Sequence, residues 1–215
     1  MLSFSVERAA LLQKLLAERV LRELVMEKHK LGSVKLVAGF DSAYSGGKQY
    51  AAVVVFDVER HAVVEKAYDI VEVKVPYIPG LLAFREVPGY VRAYSKLRVK
   101  PDVILVDGHG LAHPRAFGIA THLGLVLGKP SIGVAKKKLY GEIIEERGRR
   151  LIKAHGLVVG EVLVHEGAEL YISIGYKVPL DDAVQLVKNL LVKGSKLPIP
   201  LEEADKYSKQ LKKKH

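Results

Sequence analysis

The sequence predicts an α/β protein built around a mixed central sheet. Three valine-rich runs follow one another closely within residues 35–75, a spacing typical of an antiparallel meander. Farther along the chain, helical patterns alternate with short apolar runs, which indicates parallel strands connected by helices. With 215 residues, 49% of them hydrophobic, and no repeat or linker, the chain is expected to form one domain over residues 1–215.

The first half of the chain begins with a predicted amphipathic helix over residues 5–30, where leucines recur at helical spacing until Gly32-Ser33 interrupts them. The strands predicted next are Lys35–Phe40, Tyr50–Val58 and Ala62–Val75. A short helix is expected around Leu81–Ala83 and a longer one over Tyr90–Leu97. The segment between them is flanked by Pro79-Gly80 and Pro88-Gly89, which favour turns.

The second half shows the alternation of helices and strands. Its predicted elements are the strand Val103–Val106, the helix Ala116–Leu127, the strands Ser131–Val134, Glu161–His165 and Leu170–Ser173, and the helix Leu180–Leu191. The last of these helices has a clear start, because Pro179 precedes it and two aspartates lie in its first turn. A final polar helix is expected after Pro200.

The composition limits the chemistry of any site. Cysteine is absent, which excludes disulfides, thiolate metal sites and cysteine nucleophiles. Metal ligands would then be carboxylate, imidazole or carbonyl groups, a donor set that favours Mg²⁺ or Mn²⁺. No apolar run approaches the roughly 20 residues that span a bilayer, and no signal peptide is evident. We expect a soluble cytoplasmic protein without a membrane partner.

The formal net charge of +10 favours a nucleic-acid partner, because excess lysine and arginine attract phosphate backbones. Part of this excess lies in the lysine-rich C-terminal segment, so the charge is equally consistent with a protein that merely has a basic tail. Charge alone therefore leaves nucleic-acid binding open.

Three acids are the candidates for catalysis. Asp41 and Asp107 each follow an apolar strand directly, and residues just past strand ends line the ligand crevice of α/β sheets. Either aspartate alone is explained as well by capping a turn. Glu86 adds a third carboxylate. Carboxylates that meet in one cleft repel one another unless a cation neutralises them. Bound Mg²⁺ activates water and stabilises charge on phosphate, which favours metal-dependent phosphodiester hydrolysis.

Four sequence blocks, taken in order, resemble the endonuclease V family of deoxyinosine-directed repair nucleases. The blocks are Gly39-Phe40-Asp41-Ser42-Ala43-Tyr44; Pro76-Tyr77-Ile78-Pro79-Gly80 with Leu82 and Phe84-Arg85-Glu86; Asp107-Gly108-His109-Gly110 with His113-Pro114-Arg115 and Gly118; and Gly133-Val134-Ala135-Lys136 with Leu139-Tyr140-Gly141. Any one block would be a weak signal, whereas all four together are specific.

The resemblance implies a ribonuclease H-like fold with helices flanking the mixed central sheet. It implies a monomeric enzyme that binds deoxyinosine-containing DNA and requires Mg²⁺, with Mn²⁺ as a substitute. Cleavage would fall at the second phosphodiester on the 3′ side of the lesion and leave 3′-hydroxyl and 5′-phosphate ends.

The resemblance also implies roles for individual residues. Asp41, Glu86 and Asp107 would be the catalytic, metal-binding acids. Tyr77 would be a wedge that fills the gap left by a displaced base, and its flanking prolines would keep it rigid. Lys136 would contact the nucleic-acid backbone. The residues implied for the lesion pocket are Gly80, Leu82, Gly108, Gly110, His113 and Ile119.

Each of these assignments has an ordinary structural alternative. Glycine lets backbone groups approach a flipped base closely, yet glycine turns are common. Tyr77 could be an exposed turn residue, His113 a structural histidine, and Lys136 part of a solvated lysine run. The family frequently has a histidine after Ser-x-Gly, where this chain has Tyr176, and the role of that position stays open.

Three other functions compete with the leading hypothesis. An inosine-specific endoribonuclease could use the same scaffold, and only the 2′-hydroxyl would distinguish its substrate. A non-catalytic nucleic-acid-binding module could keep the fold and the charge. An actin-like ATP-dependent phosphotransferase also begins with an acid and a glycine turn, but no second phosphate-binding loop with its late aspartate is evident.

Overall fold

The computed structural model describes residues 4–26 and 29–215. The strands are β1 (Leu36–Ser45), β2 (Lys48–Asp57), β3 (Ala62–Glu72), β4 (Val103–Asp107), β5 (Ser131–Ala135), β6 (Glu142–Glu146), β7 (Arg149–Ala154), β8 (Leu157–His165) and β9 (Ala168–Tyr176). The helices are α1 (Val6–Met26), α2 (Leu82–Ser95), α3 (Ile119–Leu127), α4 (Leu180–Leu190) and α5 (Ile199–Lys214).

A nine-stranded sheet in the order β3-β2-β1-β4-β5-β9-β8-β7-β6 forms the centre of the molecule. The first three strands pair antiparallel, as the meander predicted. Strands β4 and β5 then add in parallel, and β9 returns antiparallel. The predicted α/β fold with a mixed sheet and flanking helices is confirmed. Parallel pairing of β1 with β4 matters most here, because it brings the middle of β1 next to the end of β4.

Helix α2 is one continuous helix, so the prediction of two shorter helices separated at Pro88-Gly89 is wrong. A proline inside a helix removes one backbone hydrogen bond, but tertiary packing overrides that local cost here. Gly89 lies directly against the Gln49 side chain of β2, and an added Cβ would overlap its amide. The unbroken helix places Glu86 and Tyr90 one turn apart on the same buried face.

Strands β6 and β7 were not predicted. They form a charged hairpin at the outer end of the sheet, where Glu and Arg residues obscure the alternation of apolar side chains. Charged edge strands are a common protection against unwanted strand pairing. Strand β8 also begins earlier than predicted, at Leu157, because it pairs along β7 as well as β9.

Helix α1 begins at Val6 and is followed to Met26, whereas the prediction ran over residues 5–30. Residues 27–28 of that prediction lie outside the described residues, and residues 29–30 are not helical. The buried stripe of α1 consists of Ala9, Gln13, Ala17 and Val20. Within residues 4–26 and 29–215, no helix combines the length and apolarity needed to cross a membrane.

Helix α5 packs across β1 and β2 on the face opposite to α2 and α3. The approach is closest at Gly39, where an added Cβ would overlap the Pro200 carbonyl group. A side chain at that position would push the start of α5 away from the sheet. The contact determines where the later residues of α5 meet the end of β1.

Candidate active site

Asp41 and Asp107 lie side by side on the adjacent strands β1 and β4. Asp107 ends β4, but β1 continues through Asp41 to Ser45, so the prediction that Asp41 directly follows a strand is wrong. Phe40 of β1 pairs with Val106 of β4, and the two aspartates directly follow this pair. Partial burial of the Asp41 carboxyl and the negative charge of Asp107 raise the pKa of Asp41 to about 8. Because the two carboxylates directly follow a paired position on neighbouring strands, they repel each other. An added cation would relieve this repulsion.

Glu86 approaches the two aspartates from α2, and its carboxylate accepts hydrogen bonds from two tyrosines. Its Oε1 accepts a hydrogen bond from the Tyr44 hydroxyl at 2.8 Å, and its Oε2 accepts one from the Tyr90 hydroxyl at 3.0 Å. Burial raises the pKa of Glu86 to about 7, against the lowering effect of both hydroxyls, and the charge of Asp107 adds to the increase. Both carboxylate oxygens therefore have fixed partners, which restricts their orientation.

A fourth acid, Asp205 of α5, was missed from the sequence. Its charge contributes to the raised pKa of Asp41. Ser208, one turn later, donates a hydrogen bond to Asp41 Oδ2 at 3.5 Å. In the sequence Asp205 looks like half of a surface pair with Lys209, and that pair also forms, at 2.6 Å. One feature of the sequence could have indicated Asp205. The small residues Ala204 and Ser208 interrupt the charged residues around them, and both are buried.

Tyr176 lies beside the start of β5, at the end of the strand opposite to Asp107. It pairs with Ser131, the first residue of β5, whereas Asp107 pairs with Val134 near the end of that strand. Burial and a hydrogen bond with Glu23 raise the pKa of Tyr176. Tyr176 is therefore not part of the acidic cluster, and the position where the sequence suggested a fourth group does not contribute one.

The donor set suits a hard divalent cation, because it consists of carboxylate oxygens that repel one another. In the part of the chain that the structure describes, however, no three His, Asp or Glu side chains are already arranged as a metal site. Instead, the Lys136 ammonium group lies 2.8 Å from Asp107 Oδ2. A cation that binds Asp107 would compete with Lys136 for this carboxylate.

A cavity of about 230 Å³ opens beside the acids. Among the residues that line it are five of the predicted pocket residues: Gly80, Leu82, Gly108, His113 and Ile119. The exposed Tyr77 also borders it, with 68% of its surface accessible. Lys137 and Lys138 contribute to the wall, whereas Lys136 points to Asp107. Because Gly108 directly follows Asp107, the cavity and the acidic cluster share one stretch of backbone.

Gly110 does not line this cavity, in contrast to the sequence prediction. Its amide donates a hydrogen bond to the Ser173 hydroxyl at 2.7 Å, and an added Cβ would overlap the Ile174 carbonyl of β9. Glycine is needed at this position for the close packing of two backbone segments.

His113 lines the cavity but has no free ring nitrogen. Its Nδ1 accepts the Arg115 backbone N–H at 3.1 Å, so Nε2 carries the proton and donates it to the Gly80 carbonyl at 3.0 Å. Burial, together with the charge of Arg115, lowers the pKa of His113 to about 4 and keeps the ring neutral. The geometry therefore favours the structural alternative, in which His113 supports the Gly80 loop.

An α/β sheet that presents aspartates on adjacent strands, beside a cavity and an exposed aromatic residue, has the features expected of a nuclease. Comparison with known proteins identifies the family. The sequence profile described as Endonuclease V matches residues 16–206. The chain is 52% identical over 212 residues to the Endonuclease V of Desulfurococcus amylolyticus, covering 97% of this chain and 96% of that protein. The chain belongs to the Endonuclease V family and is a DNA endonuclease, which hydrolyses phosphodiester bonds.

Solved structures agree with this assignment. The Endonuclease V of Streptomyces avermitilis matches with a TM-score of 0.84 and 34% identity, over 98% of this chain and 94% of that one. The Endonuclease V of Ciona intestinalis, solved with a 24mer DNA containing an inosine followed by a ribo-adenosine, matches with a TM-score of 0.81 and 27% identity, over 94% and 96% of the two chains. The prediction of a nuclease of this fold is confirmed. Family membership favours an enzyme over the non-catalytic module and over the phosphotransferase.

Proposed function

We propose that this endonuclease recognises deoxyinosine in DNA and, with Mg²⁺, hydrolyses the second phosphodiester bond 3′ to the lesion. The products would carry 3′-hydroxyl and 5′-phosphate ends. The observation that carries the proposal is the direct succession of Asp107 and Gly108. A base held in the cavity against Gly108 would place neighbouring phosphodiester bonds of its strand near the acids. The inosine-containing DNA bound by the Ciona relative supports the same substrate.

Asp41, Glu86 and Asp107 are the proposed catalytic and metal-binding acids, and the structure adds Asp205 as a further candidate ligand. Mg²⁺ bound there, or Mn²⁺ in its place, would activate water and stabilise the charge that develops on the phosphate. Tyr44 and Tyr90 fix the orientation of Glu86 through its two oxygens. Lys136, released from Asp107 by a cation, would be free to contact a backbone phosphate.

The proposed recognition combines a wedge and a pocket. Tyr77 would occupy the gap left by the extruded base, which offsets part of the cost of unstacking. Backbone groups of Gly80, Leu82, Gly108 and Ile119 would read the hypoxanthine edge at close range. His113 would contribute indirectly, since both of its ring nitrogens already bind protein groups.

The test is cleavage of defined strands that differ only at one base, inosine against adenine. With Mg²⁺ the protein should nick the inosine strand, and in EDTA it should not. Mapping the product ends to the nucleotide tests the proposed cut position. An uncut inosine strand in the presence of Mg²⁺ would contradict the proposal.

A second candidate substrate is inosine-containing RNA. The DNA bound by the Ciona relative carries a ribonucleotide directly after the inosine, which favours considering this activity. Matched strands with a ribose or a deoxyribose at each position near the lesion separate the two activities, because only the 2′-hydroxyl differs. Faster cleavage of the all-ribose strand would assign RNA as the preferred substrate.

Further proposals concern the state of the protein. We propose that residues 1–215 act as one domain and as a monomer, and that the enzyme works in the cytoplasm, where its nucleic-acid substrate would be found. Light scattering of the purified protein, with and without substrate, checks the monomeric state.

Tyr77→Ala should reduce cleavage of inosine in a duplex by about tenfold or more, because stacking of one base on an aromatic ring is worth about 1–3 kcal/mol. Single-stranded inosine substrate should be affected less, since little stacking must be broken. Initial rates on the two substrates measure the difference. Tyr77→Phe is the matched control, because it keeps the ring and should retain nearly full activity. Equal losses on both substrates would argue against a wedge.

A further inference from the structure

The carbonyl oxygen of Gly80 receives hydrogen bonds from three side chains. Gln13 Nε2 donates at 3.1 Å, His113 Nε2 at 3.0 Å and Arg115 Nη2 at 2.7 Å. A backbone carbonyl has two lone pairs, so three donors are more than it needs for satisfaction. The convergence therefore fixes the position of this carbonyl.

Gln13 is the member of this group that comes from far away in sequence. It lies on the buried stripe of α1, with 1% of its surface accessible, and its neighbours on that stripe are small or apolar. A polar side chain is costly in such a place unless its hydrogen bonds are made. Packing of α1 alone would be satisfied by an apolar residue, so the amide requires another explanation.

The amide of Gln13 uses both of its ends. Nε2 donates to the carbonyls of Gly80 and Phe117, at 3.1 and 3.0 Å. Oε1 accepts a hydrogen bond from Arg115 Nε at 2.6 Å. These partners determine which end of the amide is the oxygen. One side chain thereby connects Arg115 with the Gly80 turn and the Phe117 segment, and Gly80, Phe117 and Gln13 itself all line the cavity.

The Gly80 turn in turn determines where Tyr77 stands. Gly80 has a positive φ of +78°, and an added Cβ would lie 2.8 Å from Arg115 Nη2. Only Ile78 and Pro79 separate Gly80 from Tyr77, and Pro76 and Pro79 on either side of Tyr77 stiffen this segment. A shift of Gly80 would therefore be transmitted to Tyr77, while a shift of Phe117 would change the opposite wall of the cavity.

We infer that Gln13 is a positioning residue that fixes the distance between the proposed wedge and the proposed base pocket. This inference rests on the proposed function of Tyr77 and of the cavity. It assigns to α1 a part in substrate recognition, although Gln13 does not take part in the chemistry. Without Gln13 the acids remain in place, because none of them contacts it, but the extruded base is captured less well.

Gln13→Met tests the inference, since it keeps the length of the side chain and removes the amide. We expect about a tenfold loss of preference for inosine over adenine, the order of magnitude for losing one or two buried hydrogen bonds. The loss should appear mainly in KM, with kcat changed less. Gln185→Met is the matched control, because Gln185 is an exposed glutamine of α4 that bonds only locally to Asn189 in the described contacts.

Insertion of the wedge can be measured without catalysis. A 2-aminopurine placed next to the inosine becomes fluorescent when it is unstacked, and in EDTA the protein should bind without cutting. Gln13→Met should reduce this signal at saturating protein, whereas the control should not. Thermal unfolding of both variants shows whether the fold is kept. If Gln13→Met does not fold, Gln13→Glu decides, because it keeps an acceptor for Arg115 Nε and removes the donor to the Gly80 and Phe117 carbonyls.

The outcomes distinguish failure of the proposed function from failure of the role inferred for Gln13. If the unaltered protein shows no preference for inosine, the proposed function fails. If it shows that preference, and the folded variant keeps both the preference and the 2-aminopurine signal, the role of Gln13 is overturned. Loss of both readouts in Gln13→Met, with the Gln185→Met control unchanged, supports it.

Discussion

Asp107→Asn should lower cleavage of inosine-containing DNA by more than about 100-fold. Loss of groups that merely support a metal ligand costs about 10–100-fold, so loss of a ligand should cost more. Asparagine keeps the shape of the side chain but removes the charge that would bind Mg²⁺ and that now binds Lys136. Binding to the same DNA should be retained, because the cavity, Tyr77 and the basic surface are unchanged. Single-turnover cleavage and a binding titration in EDTA measure the two effects.

Asp181→Asn is the matched control for this experiment. Asp181 lies on α4, its side chain is 79% accessible, and it pairs with Arg149 of β7, away from the acidic cluster. Its cleavage rate should equal that of the unaltered protein. Undiminished cleavage by Asp107→Asn would show that the metal is held elsewhere.

Gly39→Ala should destabilise the protein by about 1–3 kcal/mol or more, the usual cost of forcing an extra group into a packed interior. The new methyl group would overlap the Pro200 carbonyl, so α5 must move away from β1. Movement of α5 also withdraws Asp205 from Asp41, so activity should fall even at temperatures where the variant remains folded. Urea denaturation and cleavage rates measure the two consequences.

Gly32→Ala serves as the control, because nothing lies within 4 Å of a Cβ at Gly32 and its backbone is not in the left-handed region. It should leave stability and activity nearly unchanged. Equal stability of the Gly39 and Gly32 variants would show that α5 does not depend on the close contact at β1.

The sequence was informative where structure depends on local pattern. Apolar runs identified β1 and β4, and the position of Asp41 and Asp107 directly after those runs predicted that they lie close together, although β1 in fact continues past Asp41. Their closeness then required only the parallel pairing of the two strands, which the alternation of helices and strands indicated. For Glu86 the prediction of the segment was wrong, yet the residue still reaches the acids, because α2 runs unbroken through Pro88.

The features of the site that the sequence did not predict depend on contacts between distant parts of the chain. Asp205 joins Asp41 only because α5 crosses β1 at Gly39, a contact that no local pattern reveals. Gln13 looks like a polar interruption of an amphipathic helix, and its role emerges only when Gly80, Phe117 and Arg115 surround it. Tyr176 follows a Ser-x-Gly motif, after which the family frequently has a histidine, so its position suggested a site residue. The register of β9 with β5 instead places Tyr176 away from the acidic cluster.

The arrangement of α5 has a consequence for the order in which the enzyme becomes complete during synthesis. Domains generally fold as units, so a single domain is completed only when all of its elements are available. A nascent chain interrupted before Ile199 would already contain Asp41, Glu86 and Asp107, but the face of β1 at Gly39 would be uncovered and Asp205 absent. The full acidic cluster would therefore form only after α5 has been synthesised.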